Sequence, residues 1–253
     1  MRLHEKIGNR LARLFDFVLH KRAIYTLWFN FRYLPFRQSV RLPFVFFPHA
    51  FAKVGENARI IISDEILNSK SQKIYVGEDV HDFSHGCERT FLNLQGTVEF
   101  KGKIRILRGA MVDVFGEISF GNDVVVASLA RIRVYEKLSI GNVVRIAHET
   151  QIFDTNFHYV VSVDDMEYRP MAKPVVIGNH VWIGNRCTVN AGSIIPGYTI
   201  VASNSLVNKD LSYINKYSLV GGVPCKLLKE GLVRIWDENQ ELKYMRKEFS
   251  WKI

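Results

Sequence analysis

The chain of 253 residues is 47% hydrophobic and 23% charged, a composition that excludes an intrinsically disordered protein and allows a large core. Its formal net charge of +9 is concentrated near the N-terminus, because residues 1–53 hold ten Lys/Arg against Glu5 and Asp16. The remaining 200 residues are nearly neutral. This distribution argues against a nucleic-acid binder, which would spread positive charge over its binding face.

The cysteines and the apolar runs indicate the compartment. Cys87, Cys187 and Cys225 are odd in number and far apart, and no C-x-x-C motif occurs, so we expect reducing surroundings. The early apolar run LFDFVLH is broken by Asp16 and does not read as a secretory signal. No stretch approaches the roughly 18 apolar residues of a membrane span. We therefore predict a cytoplasmic protein.

The first 53 residues form a basic, aromatic-rich arm. Ile7, Leu11, Leu14 and Val18 have helical spacing among basic residues, which predicts an amphipathic helix. The following stretch, AIYTLWFNFRYLPFRQSVRLPFVFFPHAF, is dense in aromatic residues and interrupted by prolines. It suits a membrane interface, and it equally suits a cap on the end of a larger domain. Both interpretations can hold together.

Residues 54–224 repeat with a period of six. From Ile177 onward the chain reads IGNHVW, IGNRCT, VNAGSI, IPGYTI and VASNSL, with Ile or Val first and a small or medium residue fifth. Earlier segments around Val76, Phe120 and Ile140 repeat the form more loosely. A period of six predicts a short strand and a turn per hexad, with three hexads in each coil of a parallel β-helix.

The repeat changes phase once. Ile140, Ile146 and Ile152 keep a six-residue step that is out of register with Ile177 and the hexads that follow it. The intervening residues must leave the coil, so we expect a loop at about 155–176. Loops on rigid scaffolds commonly carry function.

The last segment, residues 225–253, mixes Lys and Glu with Leu, Ile and Trp. This composition predicts one or two helices that leave the repeat domain, with Gly231 as a break between them.

The stretch KPVVIGNHVWIGNRCTVNAGSIIPGYTIVASNSLVNKD and the later VGGVPCKLLK resemble the hexapeptide-repeat acyltransferases. The type is that of the sugar O-acetyltransferases related to maltose, galactoside, capsule and lipopolysaccharide acetyltransferases, and the resemblance covers roughly residues 54–229. It implies a left-handed β-helix, a homotrimer, and acetyl-CoA in a groove between neighbouring prisms. It also implies direct transfer, with a histidine as general base on the acceptor hydroxyl.

The resemblance assigns the general base to His158, at the root of the expected loop. An imidazole suits this role because its pKa lies near the working pH. Asp154 is the second catalytic candidate, either orienting the imidazole or contacting the sugar, or else making a turn. Asn156 has the same ambiguity, and we treat it as a substrate contact; many relatives have Asp at this position.

Three further residues are candidates for the acceptor site. The resemblance makes Trp182 a wall against the acetyl group or the sugar, although packing between subunits explains it as well. His85 and His148 are candidates for lining the same site. His81 and His85 are four residues apart, but in a β-helix this step does not give one face, and no metal site is expected.

Alignment with the family predicts coenzyme A contacts at six positions: Asn185, Ser203, Asn208, Lys209, Lys226 and Lys229. Asn185 and Ser203 are 18 residues apart, one full coil, so we expect them to stack on one edge of the prism. The lysines suit the phosphates of the coenzyme.

The leading hypothesis is an acetyl-CoA-dependent O-acetyltransferase that acts on a sugar of a surface polysaccharide or its precursor. The basic arm adds peripheral contact with an anionic inner membrane. An N-acyltransferase on an amino sugar is the enzymatic alternative, and a non-catalytic β-helix binding module is the alternative from another class.

Overall fold

The computed structural model describes residues 22–79 and 88–249. The amphipathic helix predicted for the first residues of the chain lies outside this part, as do His81, His85 and Cys87.

The described chain winds through three parallel sheets that enclose one core. Sheet 1 contains β1 (Phe44–Phe46), β4 (Ile74–Glu78), β7 (Ile104–Leu107), β10 (Val124–Val126), β13 (Val144–Ile146), β18 (Trp182–Ile183), β21 (Thr199–Val201), β23 (Ser218–Gly221) and β24 (Lys226–Glu230). Sheet 2 contains β2 (Ala50–Val54), β5 (Thr90–Leu94), β8 (Met111–Val114), β11 (Arg131–Val134), β14 (Gln151–Phe153), β19 (Thr188–Val189) and β22 (Leu206–Val207). Sheet 3 contains β3 (Arg59–Ile62), β6 (Thr97–Phe100), β9 (Glu117–Phe120), β12 (Lys137–Ile140), β17 (Val175–Ile177) and β20 (Ile194–Ile195). Each coil runs from sheet 1 to sheet 2 to sheet 3, as predicted for a parallel β-helix.

The regular coils, those without an inserted segment, have two lengths. After the loop the hexads repeat as predicted, since Trp182 pairs with Ile200, 18 residues later. Before the loop the step is 20 residues, as the pairing of Val124 with Val144 shows. The period of six is therefore wrong for these 20-residue coils, where the segment from sheet 2 to sheet 3 is two residues longer: Ile132 to Ile140 spans eight residues, but Val189 to Ile195 spans six.

The core follows from alternation along the strands. Side chains at alternate positions point inward, and the first residues of the predicted hexads are buried: Ile177, Ile183, Val189, Ile195, Val201 and Val207. The longer strands of the 20-residue coils bury two residues each, as Ile132 and Val134 do in β11. The same alternation gives these strands two outward positions, which are available for binding.

The corners of the prism require left-handed backbone. Val143, His180 and Tyr198 have positive φ at successive turns into sheet 1. Because such residues stack coil above coil, the rings of His180 and Tyr198 lie parallel, 4.6 Å apart. Regular corners of this kind hold the coils in register.

The N-terminal end of the core is covered by helix. Helix α1 (Ala23–Tyr33) buries Phe29 against Phe44 and Phe46, and the short α2 (Phe36–Ser39) follows it. The aromatic stretch therefore forms a cap on the end of the domain, which is one of its two predicted roles.

The sheets begin ten residues before the predicted boundary at residue 54. Phe44 and Phe46 lie in β1, which pairs with β4, and both side chains are buried in the core. A third helix, α3 (Asp64–Asn68), lies between β3 and β4.

The C-terminal segment is helical only in its second part. Strand β24 runs antiparallel to β23, so the helix predicted for this stretch is wrong there. Gly231, with φ of +76°, follows β24, and α4 (Glu238–Glu248) begins after an N-cap hydrogen bond from Gln240 to Asp237. No helix of the described residues is long and apolar enough to cross a membrane.

Candidate functional site

The expected loop leaves the prism after β14 and returns at β17. Within it, β15 (Val160–Val161) and β16 (Tyr168–Arg169) form an antiparallel hairpin. The two arms of the loop are tied together where they leave the prism, since Asn156 N–H donates to the Met171 carbonyl at 2.8 Å. The root of the loop is consequently a fixed part of the scaffold.

Asp154 anchors this root. Alternation along β14 turns the side chain inward, and it is 1% exposed. Its carboxylate accepts hydrogen bonds from the backbone N–H groups of Tyr135, Glu136 and Lys137 at 2.7–2.8 Å. Its own carbonyl accepts from Lys173 N–H at 2.8 Å. Of the roles considered for Asp154, the contacts therefore match the turn-stabilising one, with both carboxylate oxygens occupied by backbone of the preceding coil.

A polar pocket of about 440 Å³ lies on one side of the root. It is lined by loop residues and by the turns after β19 and β22: Asn156, Arg169, Pro170, Lys173, Asn190, Ala191 and Asn208. The structure thus brings together Asn156 and Asn208, which were predicted to serve acceptor and coenzyme respectively. Amides and cations of this kind are suited to a phosphorylated ligand.

A second pocket, of about 270 Å³, lies on the other side of the root, on the outer face of sheet 2. We call it the basic pocket; its lining is Met111, Asp113, Arg131, Ile132, Arg133, Phe153 and Phe157. Phe157 packs edge-on against Phe153 with ring centroids 5.6 Å apart, and Arg133 lies 5.4 Å above its ring. Aromatic rings beside guanidinium groups can bind both an apolar ring face and an anion.

His158 lines neither pocket, but it follows directly in the chain after a residue of each. Asn156 lines the polar pocket and Phe157 lines the basic pocket. The imidazole is exposed, and Phe157 reaches its place through a left-handed backbone conformation, with φ of +63°. Within the described chain His158 has no hydrogen-bond partner, so Asp154 does not orient it.

The coenzyme candidates fall on separate edges of the prism. Ser203 Oγ donates to Asn185 Oδ1 at 2.5 Å, so the predicted stacking of this pair is present, at the corner between sheets 1 and 2. His148 lies at the same corner, one coil earlier. Asn208 and Lys209 follow β22 at the edge nearer to His158, whereas Lys226 and Lys229 are exposed on β24. One chain does not gather these residues around His158.

Trp182 points outward from sheet 1, away from the face that carries His158. Arg234 lies 5.2 Å above its ring and 5.0 Å from the ring of Trp236. Burial lowers the pKa of Arg234 from its ordinary value. Within the chain, Trp182 therefore supports the C-terminal segment and does not line either pocket.

The sequence interpretation missed Arg131, Arg133 and Phe153. A signal was present: MVDVFGEI at 111–118 and RIRVYEKL at 131–138 are related by the 20-residue step, which stacks their outward residues. Among the described residues no group of three His, Cys, Asp or Glu side chains is placed to hold a metal ion.

The comparisons with known proteins agree with this fold. No family model matches the chain. It is 26% identical over 140 residues, 55% of its length, to the polysialic acid O-acetyltransferase of Neisseria meningitidis, and 37% identical over 57 residues, 22% of its length, to the galactoside O-acetyltransferase of Escherichia coli K12. The matches span about half of the first relative (54%) and about a quarter of the second (27%).

Among solved structures, the polySia-specific acetyltransferase NeuO superposes with a TM-score of 0.52 over 81% of this chain and 87% of its own, at 17% identity. The predicted fold class is therefore confirmed as a left-handed parallel β-helix. The predicted resemblance to hexapeptide-repeat sugar O-acetyltransferases is confirmed as well.

Proposed function

We propose that this chain transfers an acetyl group from acetyl-CoA to a sugar hydroxyl of a surface polysaccharide or its precursor, with His158 as general base. The observation that carries the proposal is the place of His158, which is exposed at the loop root directly after Asn156 of the polar pocket and Phe157 of the basic pocket. Relatives named as O-acetyltransferases of polysialic acid and of galactosides support the class of reaction.

The chemistry needs one proton acceptor at the junction of the two pockets. The acceptor hydroxyl attacks the thioester carbonyl, and the imidazole of His158 takes the hydroxyl proton as the new C–O bond forms. The C–S bond then breaks, and the proton passes from the imidazolium to the departing coenzyme A sulfur. Because each transfer ends with neutral imidazole, the base is ready for the next cycle.

The pockets divide the substrates between them. The polar pocket, with Lys173, Arg169 and Asn208, suits the phosphorylated donor. The basic pocket, with Phe153 and Phe157, suits the sugar, whose C–H face stacks on aromatic rings.

The decisive experiment measures acetyl-CoA turnover against a panel of oligosaccharides with wild type and with His158→Ala. The variant should lose roughly 10²- to 10⁴-fold in kcat, the usual contribution of a general base, and still bind acetyl-CoA. His49→Ala, an exposed histidine on the turn before β2, is the matched control and should turn over normally. Turnover by His158→Ala equal to wild type would refute the mechanism. An alkali-labile product identifies an ester and separates O- from N-acetylation.

We further propose a homotrimer in which one copy supplies His158 and its neighbour supplies the corner of Asn185 and Ser203. Support comes from the separation of these residues on different edges of one prism. Closed symmetric assembly is the common way to bring such edges together.

A mixing experiment tests this sharing. Chains with His158→Ala and chains with Asn185→Ala are each impaired, but when they are co-expressed, random trimers should regain about a quarter of the wild-type sites. Activity that stays at the level of the separate variants would show that each site lies within one copy.

We propose, finally, that the N-terminal cap touches an anionic membrane surface. Helix α1 exposes Ile24 over 87% of its surface, with Trp28 and Phe31 also exposed, and Arg32 and Arg37 lie beside them. Basic residues near anionic lipid contribute about 1 kcal/mol each. Co-sedimentation with anionic vesicles at low salt, absent with zwitterionic ones, is the expected result; equal behaviour with both would overturn it.

A further inference from the structure

We propose that the outer face of sheet 2 binds an acidic glycan chain, and that Arg131 binds a carboxylate of that chain beside His158. The inference rests on the proposed acetyl transfer and names the acceptor class of the same site. The supporting observations are the strand register, the charged side chains and the aromatic rings of this face.

The outward residues of sheet 2 form two columns that lead to the loop root. Strand register stacks them coil above coil: Phe51, Phe91, Met111, Arg131 and Gln151 in one column, and Lys53, Asn93, Asp113, Arg133 and Phe153 in the other. With a strand spacing of about 4.8 Å, the columns span roughly 19 Å from β2 to β14. This length suits a polymer better than a single sugar.

Charge on the columns is predominantly positive, and Arg131 is free to bind an anion. Arg133 is paired with Asp113, with Nη2 and Oδ2 2.9 Å apart. On sheet 1, Arg145 is paired in the same way with Asp123 at 2.6 Å. The side chain of Arg131 contacts only the Met111 sulfur, at 3.3 Å, and has no carboxylate partner in the described chain. An exposed, unpaired guanidinium in a pocket is suited to a carboxylate that arrives with the ligand.

The positive face continues to the N-terminal cap. Arg22 lies 4.4 Å above the ring of Phe51, and Arg89 lies 5.9 Å from the same ring. Lys53 is exposed in the neighbouring column. Cations and aromatic rings therefore both occur between the cap and Phe157, and they offer charge pairing and ring stacking to an anionic glycan chain.

The outer face of sheet 3 differs in charge. Its outward Arg59 and Lys137 are balanced by Glu99 and Glu117, and Lys137 pairs with Glu117 at 3.3 Å. The outer face of sheet 3 is thus balanced in charge, whereas on the outer face of sheet 2 Lys53, Arg131 and Arg133 outnumber Asp113.

The test compares oligomers of sialic acid and of galacturonic acid with their carboxyl-reduced counterparts, which keep the ring hydroxyls and lose the charge. Binding of each oligomer to the full-length protein is measured by calorimetry without acetyl-CoA, and acetyl transfer is measured separately. We expect at least one acidic oligomer to bind on the order of tenfold more tightly than its reduced form. Equal affinity within both pairs overturns the proposal.

The variant Arg131→Gln should remove most of this difference in affinity. Arg59→Gln, which removes an equally exposed arginine from sheet 3, should leave the difference intact. A loss of trimer in Arg131→Gln by sedimentation would instead assign this face to contact between copies, and would also overturn the proposal. Because binding is read without acetyl-CoA, failure of acetyl transfer alone refutes the proposed reaction and leaves the glycan result standing.

Discussion

The two pockets beside His158 are built from coils of different length, and they use different parts of the coil. The basic pocket lies on 20-residue coils, where strands such as β11 place two side chains, Arg131 and Arg133, on the outer face. The polar pocket lies on 18-residue coils, where β19 has two residues, one of them inward. Its polar side chains come from the corners, as Asn190 and Asn208 do. The pocket on the short coils is thus lined at the edges of the prism, and the pocket on the long coils is lined on its face.

The largest effect should come from replacing Asp154, because its carboxylate anchors the loop root that both pockets share. Asp154→Ala leaves three buried N–H groups without their acceptor, and we expect a loss of about 3 kcal/mol in the free energy of unfolding. Both substrate affinities should fall together. Urea unfolding measures the first effect, with the exposed loop variant Asp165→Asn as control. A stable Asp154→Ala with intact substrate KM values would mean that the root does not depend on this carboxylate.

The polar pocket is tested on its own by Asn208→Ala combined with Lys173→Ala. Loss of an amide and a cation should raise the KM for acetyl-CoA about tenfold and leave the KM for the acceptor within about twofold. Steady-state kinetics with each substrate varied in turn measure both values. If the acceptor KM rises instead, the assignment of donor and acceptor to the two pockets must be exchanged.

The basic pocket is tested by Phe157→Leu, which keeps an apolar side chain and removes the ring. The acceptor KM should rise about fivefold, because stacking on one ring contributes about 1 kcal/mol. Tyr213→Leu removes an exposed ring beyond β22 that lies outside both pockets, and it should change nothing. An unchanged KM in Phe157→Leu would show that the sugar does not use this ring.

The smallest effect concerns the reactivity of the Cys225 thiol, which lies in the interior of the short coils. Cys225 is fully buried, and burial together with the nearby Cys187 raises the pKa of its thiol to about 11. The native protein should therefore resist alkylation at pH 8, whereas the unfolded chain should react readily. The neutral thiol of Cys225 therefore contributes to the free energy of unfolding. This contribution is complete below about pH 9, the ordinary pKa of the thiol, and is lost as the pH rises towards 11. Rapid native alkylation, followed by mass spectrometry, would contradict this burial.

The sequence predicted most of the short coils and little of the basic pocket, for a physical reason. From Ile177 to Val207 each inward residue recurs every six positions, so local pattern and buried core coincide. In the 20-residue coils two extra residues between sheet 2 and sheet 3 shift the phase, and the pattern becomes visible only when Met111 is aligned with Arg131. The assignment of His158 came from the family resemblance and from its place at the phase break, and it stays a prediction. Arg131 and Arg133 of the basic pocket were not predicted, because they come together only through pairing between strands that are distant in the sequence.

The two ends of the chain were harder to predict because their partners are tertiary. Phe44 and Phe46 follow a proline-rich stretch, yet they pair with β4 since burial outweighs the local signal. Residues 226–230 have helical composition, but their backbone completes the open edge of β23. Local propensity is a weak guide where an unpaired strand is the alternative.

Helix α1 and strand β24, which cover the two ends of the stack of coils, also oppose the growth of the molecule into a fibre. A parallel β-helix is an open stack, and an uncovered end presents unpaired strands and apolar core to the next molecule. Helix α1 covers the first coil with Phe29, and β24 turns the last edge of sheet 1 antiparallel, with Lys226 and Lys229 exposed on it. Removal of either covering should convert a discrete molecule into a template for end-to-end association, because register between coils would then extend from one copy to the next.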